Sequence, residues 1–147
     1  YGDIVPMTAE CPTLTFNTIG RHQSRLVRTR VASNLSPWLA KTEVGDMHTI
    51  AISHGEGRFV ASDDMLAQLK ANGQIATQYV DEAGVPGMDL SVNPNGSLLA
   101  IEGITSPDGR VFGKMGHSER YSNGTFKNVP GEKDQPLFAA GVEYFAA

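Results

Sequence analysis

The chain has 147 residues, enough for one domain with a real core and too few for two. Its 40% apolar and 19% charged residues exclude a disordered chain, and a formal net charge of -4 gives no phosphate-seeking footprint, so nucleic acid is not an expected partner. No apolar run is long enough to span a membrane, and the single Cys11 excludes an intrachain disulfide or a cysteine-based zinc site. That cysteine usage fits a reducing, cytoplasmic setting.

Residues 1–12 contain Pro6 and Pro12 and read as irregular; 14–18 is a short apolar stretch. Residues 24–31 form a strand with Leu26, Arg28 and Arg30 on one face and Val27, Thr29 and Val31 on the other. A turn at 34–37 follows, and Trp38-Leu39 plugs a core edge. Residues 47–53 make a second strand that runs into His54-Gly55-Glu56-Gly57-Arg58, where two glycines free the backbone for a tight loop.

The clearest early helix covers 62–72. Ser62 is placed to cap it, Asp63 and Asp64 sit at the positive end of its dipole, Met65, Leu66 and Leu69 form its apolar stripe, and Gly73 stops it. Residues 74–80 are a further strand. Turns at Asn93-Pro94-Asn95-Gly96 and Ser106-Pro107-Asp108-Gly109 bound a β-hairpin built from 98–104 and 110–115. The last element is a helix capped by Asp134, with Pro136 in its first turn and Leu137, Phe138, Val142 and Phe145 on a shared face. The sum is an α/β or α+β domain with a strand-rich middle, a hairpin and a C-terminal helix.

Two stretches could carry chemistry. In Lys114-Met115-Gly116-His117-Ser118-Glu119-Arg120 a strand ends in a glycine-containing turn, a common place for reacting groups in α/β proteins. On extended backbone His117 and Glu119 point to the same side. A carboxylate there can accept from one imidazole nitrogen and leave the other free as a base. Spacing alone favours the plainer reading, two solvated polar residues in a surface loop, because His-x-Glu is a very short motif. The loop at 53–59, with His54, Glu56 and Arg58, could line a polar site or be an exposed turn. The four histidines match no recognised zinc spacing, so no metal is expected. Cys11 lies between Glu10 and Pro12 without a flanking glycine elbow and reads as a structural thiol.

Six strings in order then carry a resemblance: Ser-His-Gly-Glu-Gly-Arg at 53–58, Ala-Thr-Gln-Tyr-Val-Asp at 76–81, Asn-Pro-Asn-Gly-Ser at 93–97, Gly-Ile-Thr at 103–105, Gly-Arg-Val at 109–111 and Gly-His-Ser-Glu-Arg at 116–120. Together they closely resemble the glutaminase domain of phosphoribosylformylglycinamidine synthases, a class I, triad-type glutamine amidotransferase. The resemblance implies a flavodoxin-like open sheet with helices on both faces, of which this chain is the C-terminal part. It also implies glutamine hydrolysis by a Cys-His-Glu triad. The ammonia passes to a second site that converts formylglycinamide ribonucleotide to its amidine, using ATP and Mg bound in other domains; no cofactor is implied for this chain. His117 and Glu119 fall on the triad His and Glu. The segment Gln23-Ser24-Arg25-Leu26 falls where related enzymes present backbone groups to glutamine, so Ser24, Arg25 and Leu26, with His54 and Glu56, are the substrate-binding candidates.

Two departures are visible. Many members carry proline on both sides of the triad His, whereas Gly116 and Ser118 stand here and leave the loop less restrained. The family nucleophile sits on a Gly-x-Cys-x-Gly elbow shortly before a Pro-Tyr-Gly-like segment. This chain starts Tyr1-Gly2, so the elbow is expected upstream of residue 1. Cut there, the chain would expose a sheet edge and self-associate, or stay bound to the remaining domains of the synthase. The alternatives are a non-catalytic interaction domain and a metal-dependent hydrolase. This chain alone is expected to release no glutamate from glutamine; Cys11-dependent release in a glutaminase assay would contradict that expectation.

Overall fold

The computed structural model describes residues 8–146. The irregular segment expected at 1–12 lies outside the described residues up to position 7; residues 8–12 contain a turn and no strand. The elements are β1 (Thr13–Thr15), β2 (Gln23–Val31), β3 (Met47–His54), β4 (Arg58–Val60), α1 (Asp63–Ala71), β5 (Ile75–Tyr79), β6 (Ile101–Thr105), β7 (Phe112–Lys114) and α2 (Leu137–Phe145). Short 3-10 turns occur at Pro37–Leu39, Leu98–Ala100 and Ser118–Arg120.

The long pair β2 and β3 is the frame of the sheet. They run antiparallel in one unbroken register from Gln23 opposite His54 to Arg30 opposite Met47. Their period-two alternation is kept: Val27, Thr29 and Val31 are buried, while Arg28 and Arg30 stay partly exposed. The full order is β3-β2-β5-β6-β7, and every pairing in it is antiparallel. β1 and β4 form a separate antiparallel ribbon. The molecule is therefore a mixed α/β fold with a strand-rich middle, a hairpin and a C-terminal helix.

Both faces of the sheet are covered. Ile75 packs with Leu66 and Leu69 of α1, Phe59 and Ile101. Its neighbour Ala76 belongs to a different cluster, with Val31, Leu39 and Leu137 at the start of α2. A third cluster, Val27, Ile52, Tyr79 and Ala100, fills the space between β2, β3 and β5. α1 has the ends that its sequence specifies. The Ser62 hydroxyl accepts from the Met65 amide, Asp63 and Asp64 lie in the first turn, and Gly73 leaves the helix at φ +68°.

Three expectations are corrected. The segment 98–104 is not extended throughout. Leu98–Ala100 is a 3-10 turn with Leu99 and Ala100 at positive φ. The cause is the preceding loop: the Asn93 side chain donates to the Ser97 carbonyl and accepts from the Ser97 amide, closing the chain into a knot that β6 must leave sharply. The second correction concerns the start of α2. Pro136 occupies the cap position without a side-chain cap, and Asp134 instead joins a turn in which its amide donates to Glu132. Third, the buried side of α2 is Leu137, Ala140 and Gly141, not the stripe through Phe138, Val142 and Phe145, which stay 57%, 68% and 45% exposed. Gly141 decides this: a Cβ there would run into the Trp38 ring, so the helix seats its glycine on the indole. Trp38 also packs on Phe145 and donates its indole N–H to the Arg110 carbonyl at 2.8 Å. Among the described residues no helix is long and apolar enough to cross a membrane.

The sheet is curled. Beyond β7 the chain stays hydrogen-bonded to β6, the Met115 amide donating to the Glu102 carbonyl at 3.0 Å. One step later the His117 amide donates to the Ala51 carbonyl of β3 at 2.8 Å, forming an antiparallel bridge. β3 and β7 are opposite edges of the sheet, so this bridge brings its two ends together.

His48, on β3, is buried, and burial pushes its imidazole below the usual histidine range, with the charge of Asp46 only partly opposing. The folded chain therefore binds fewer protons at His48 than the unfolded chain does below the ordinary histidine pKa of about 6.5. Its stabilising effect is present above that value and is lost as the pH falls through the folded pKa. Thermal midpoints are expected to fall between about pH 7.5 and 5.5, and His48→Gln is expected to flatten that fall. An unchanged slope in the variant would count against this assignment.

Candidate functional site

The bridge to Ala51 places residues 114–119 beside the end of β3. His117 leaves the extended strand at φ -100°, ψ 84°, and Ser118–Arg120 make one 3-10 turn. That turn carries Glu119 back toward the imidazole, and His117 Nδ1 lies 2.7 Å from Glu119 Oε1. The sequence expectation was that alternation on an extended backbone aligns the two side chains. They do meet, but a turn rather than a strand brings them together.

The His117 side chain is 32% exposed and that of Glu119 53%. Partial burial pushes the Glu119 carboxyl up, yet hydrogen bonds from His117 and from its own backbone, with the charges of His117 and Arg120, outweigh this and hold it below the usual carboxylate range. Glu119 is therefore ionised at neutral pH and accepts from Nδ1–H, which leaves Nε2 as the free nitrogen.

The pair lines a cavity of about 550 Å³. Trp38, Phe112, Leu137 and Phe138 give it apolar walls, and His54, Lys114 and residues 116–119 supply its polar side. A pocket of this size, mostly apolar with a few convergent polar groups, suits a small molecule. His54 ends β3 and sits over Gly57, where a Cβ would overlap its ring. Burial lowers the His54 imidazole below the usual histidine range, Asn95 opposing in part.

The glycine loop around His54 rests on a polar support. The Asn17 side chain donates to the His54 carbonyl and accepts from the Gly57 amide. The Ser97 hydroxyl donates to the Gly57 carbonyl and accepts from the Phe59 amide. Asn95 donates to the Tyr79 hydroxyl at 2.7 Å. Asn93, Asn95 and Ser97 are all fully buried, so the turn at 93–96 is not a surface feature but the floor under the 54–57 loop.

Of the candidates read from sequence, the structure brings His117, Glu119 and His54 to one cavity. Glu56 is exposed in the same loop and does not line it. Ser24, Arg25 and Leu26 lie on β2, opposite Ser53, Ile52 and Ala51 of β3, and Arg25 and Leu26 line a different depression on the surface. Cys11 also lies elsewhere, in a hollow with Leu14, Phe59 and Ile104; the Thr8 amide donates to its sulfur. Among the described residues no group of three or more His, Cys, Asp or Glu side chains is placed to hold a metal ion.

The sequence reading missed Glu102 and Gln135 and gave no role to the side chains of Lys114 and Ser118. Glu102, with its side chain fully buried, accepts from the Thr77 hydroxyl and from the Gly116 amide, each at 2.5 Å, and lies 3.7 Å from Lys114 Nζ. Lys114 Nζ donates to Ser118 Oγ at 2.9 Å and to Gln135 Oε1 at 2.8 Å, and Ser118 Oγ donates to the same Gln135 oxygen at 2.6 Å. Burial pushes the Lys114 ammonium below the usual lysine range, against the opposing charges of Glu102 and Glu119. The expectation that Gly116 and Ser118 loosen the loop is thus corrected: both are held by hydrogen bonds. The signal in the sequence was a lone carboxylate inside the apolar run of β6, with a lysine on the paired strand.

Residues 1–145 match the family described as the CobB/CobQ-like glutamine amidotransferase domain. The chain is 40% identical over 91 residues to phosphoribosylformylglycinamidine synthase subunit PurQ of Thermomicrobium roseum, covering 62% of this chain and 38% of that one. It is 35% identical over 131 residues to the subunit of the same name from Methanosarcina mazei, covering 89% and 54%. A solved structure titled "Structure of PurLQS from Thermotoga maritima" superposes with a TM-score of 0.67 at 27% identity, over 97% of this chain and 57% of that one. The chain spans 38% to 54% of the length of these two curated relatives.

Proposed function

Because the chain belongs to the family of CobB/CobQ-like glutamine amidotransferase domains, we propose that it is the C-terminal part of a glutaminase domain serving a phosphoribosylformylglycinamidine synthase. In this reading the domain hydrolyses glutamine. The ammonia feeds the ATP-dependent conversion of formylglycinamide ribonucleotide to formylglycinamidine ribonucleotide. ATP and Mg belong to other domains of the synthase, which are the partners of this one. The observation that carries the reading is the 2.7 Å contact between His117 Nδ1 and Glu119 Oε1 at the mouth of a small-molecule cavity.

The chemistry follows from that geometry. A cysteine thiol supplied by an elbow preceding these residues loses its proton to His117 Nε2 and attacks the glutamine side-chain carbonyl. The tetrahedral adduct collapses as the C–N bond breaks, and His117 returns the proton to the departing ammonia. His117 then takes a proton from water, which cleaves the thioester to glutamate and restores the thiol. Glu119 holds the ring in the Nδ1–H tautomer and balances the imidazolium formed in each half-reaction. His54, kept neutral at pH 7 by burial, adds no competing positive charge beside His117. The apolar walls limit the water that reaches the thioester before ammonia has left.

In the full chain encoded by the gene, His117→Ala is expected to lower the glutamine-dependent rate by roughly 10³-fold or more, with Glu119→Ala costing less. Synthesis driven by added ammonium salt should persist in both variants. A His117→Ala enzyme that keeps more than about a tenth of its glutamine-dependent rate would exclude His117 from the acid–base role.

A further inference from the structure

We propose that Glu102, together with Lys114, Gln135 and Ser118, is a positioning device that fixes the imidazole of His117 by clamping the residue on each side of it. The proposal rests on the reading of His117 as the acid–base residue.

Three consecutive residues are anchored to three different parts of the fold. The Gly116 amide donates to Glu102 Oε1 on β6. The His117 amide donates to the Ala51 carbonyl on β3. The Ser118 hydroxyl is held between Lys114 Nζ on β7 and Gln135 Oε1 in the segment before α2. Such anchoring leaves the backbone at His117 little room to rotate. Placement within about 0.5 Å is what proton transfer between heavy atoms requires.

The carboxylate is committed to this task. Its side chain is fully buried, and its other oxygen is taken by Thr77 Oγ1. Gly116 must be glycine for the contact to form: a Cβ would stand 2.8 Å from Glu102 Oε1 and 2.7 Å from Ile50 Cγ2. The contact also needs a backbone N–H at 116, so the glycine and the buried carboxylate depend on each other. Lys114 joins the two halves, since one ammonium reaches both Glu102 and Ser118.

A buried ion pair kept only for stability can often be replaced by apolar residues of similar volume at little cost. A positioning role makes a different demand, because the donors and acceptors next to His117 must stay where they are. The test compares Glu102→Ala, Glu102→Gln, the double variant Glu102→Leu/Lys114→Met, and Ser118→Ala, all in the full chain. It reads glutaminase kcat and KM, the thermal midpoint, and hydrogen exchange of the Gly116 amide by NMR.

The expected result is a kcat lowered by about tenfold or more in Glu102→Ala and in the double variant, with KM for glutamine within about twofold of wild type. Glu102→Gln, which keeps an oxygen for Gly116, should fall between Glu102→Ala and wild type. A folded Glu102→Ala protein with unchanged kcat overturns the proposal. Should the Glu102 variants fail to fold, Ser118→Ala decides, because it removes one hydroxyl from a partly exposed position. A lowered kcat at constant KM supports the clamp, and an unchanged kcat overturns it. If the wild-type protein hydrolyses no glutamine, the functional reading has failed by itself. Gly116 amide exchange then judges the clamp separately: faster exchange in Glu102→Ala or Ser118→Ala supports it, and unchanged exchange refutes it.

Discussion

A carboxylate carried into the middle of a small sheet costs several kcal/mol unless donors meet it there. Glu102 is met by two donors, the Thr77 hydroxyl from β5 and the Gly116 amide beyond β7, and by the charge of the Lys114 ammonium 3.7 Å away on β7. Each donor comes from a different part of the sheet, so satisfying one charge aligns β5, β6 and the chain leaving β7. The strand pairings around it follow the same demand, with Gly103 opposite Lys114 and β6 hydrogen-bonded to β5 on its other side. A residue that looks incidental in the apolar run of β6 is the point at which packing and site geometry meet.

The curl of the sheet turns that local satisfaction into a site. β3 and β7 are opposite edges, yet His117 bridges to Ala51, and the loop at the end of β3 arrives beside it with His54. The floor of that loop is made of buried amides and hydroxyls, Asn17, Asn93, Asn95 and Ser97, each bonded to backbone or to Tyr79. Most of this buried network is paired, although Asn95 Oδ1 and both His54 ring nitrogens are buried without a hydrogen-bond partner. The polar side of the cavity rests on these residues, while its apolar wall is carried by Trp38 and the start of α2.

What could be read from sequence was what is decided locally. Ser62, the two aspartates, the apolar stripe and Gly73 specify α1 within one stretch of chain, and the structure has it with those ends. The alternation in β2 and the turn before β7 were legible for the same reason. Distant partners hid the rest. The seating of α2 is set by Gly141 against Trp38, about a hundred residues apart. Leu98–Ala100 is bent by the side chain of Asn93, and the antiparallel strand order is a property of the assembled sheet. Spacing alone favours a surface loop over a catalytic pair for His117 and Glu119, and the ordered family strings reverse that preference. Their contact is made through a 3-10 turn, which a two-residue spacing does not reveal.

The acid–base role proposed for His117 depends on which of its ring nitrogens is free. Nitrogen-15 NMR of the full chain, at a pH where the ring is neutral, reads this directly. The expected result is a protonated Nδ1 bonded to Glu119 and an unprotonated Nε2 facing the cavity, a tautomer preference lost in Glu119→Ala. A ring that carries its proton on Nε2, or that averages between tautomers in the wild-type protein, would contradict it.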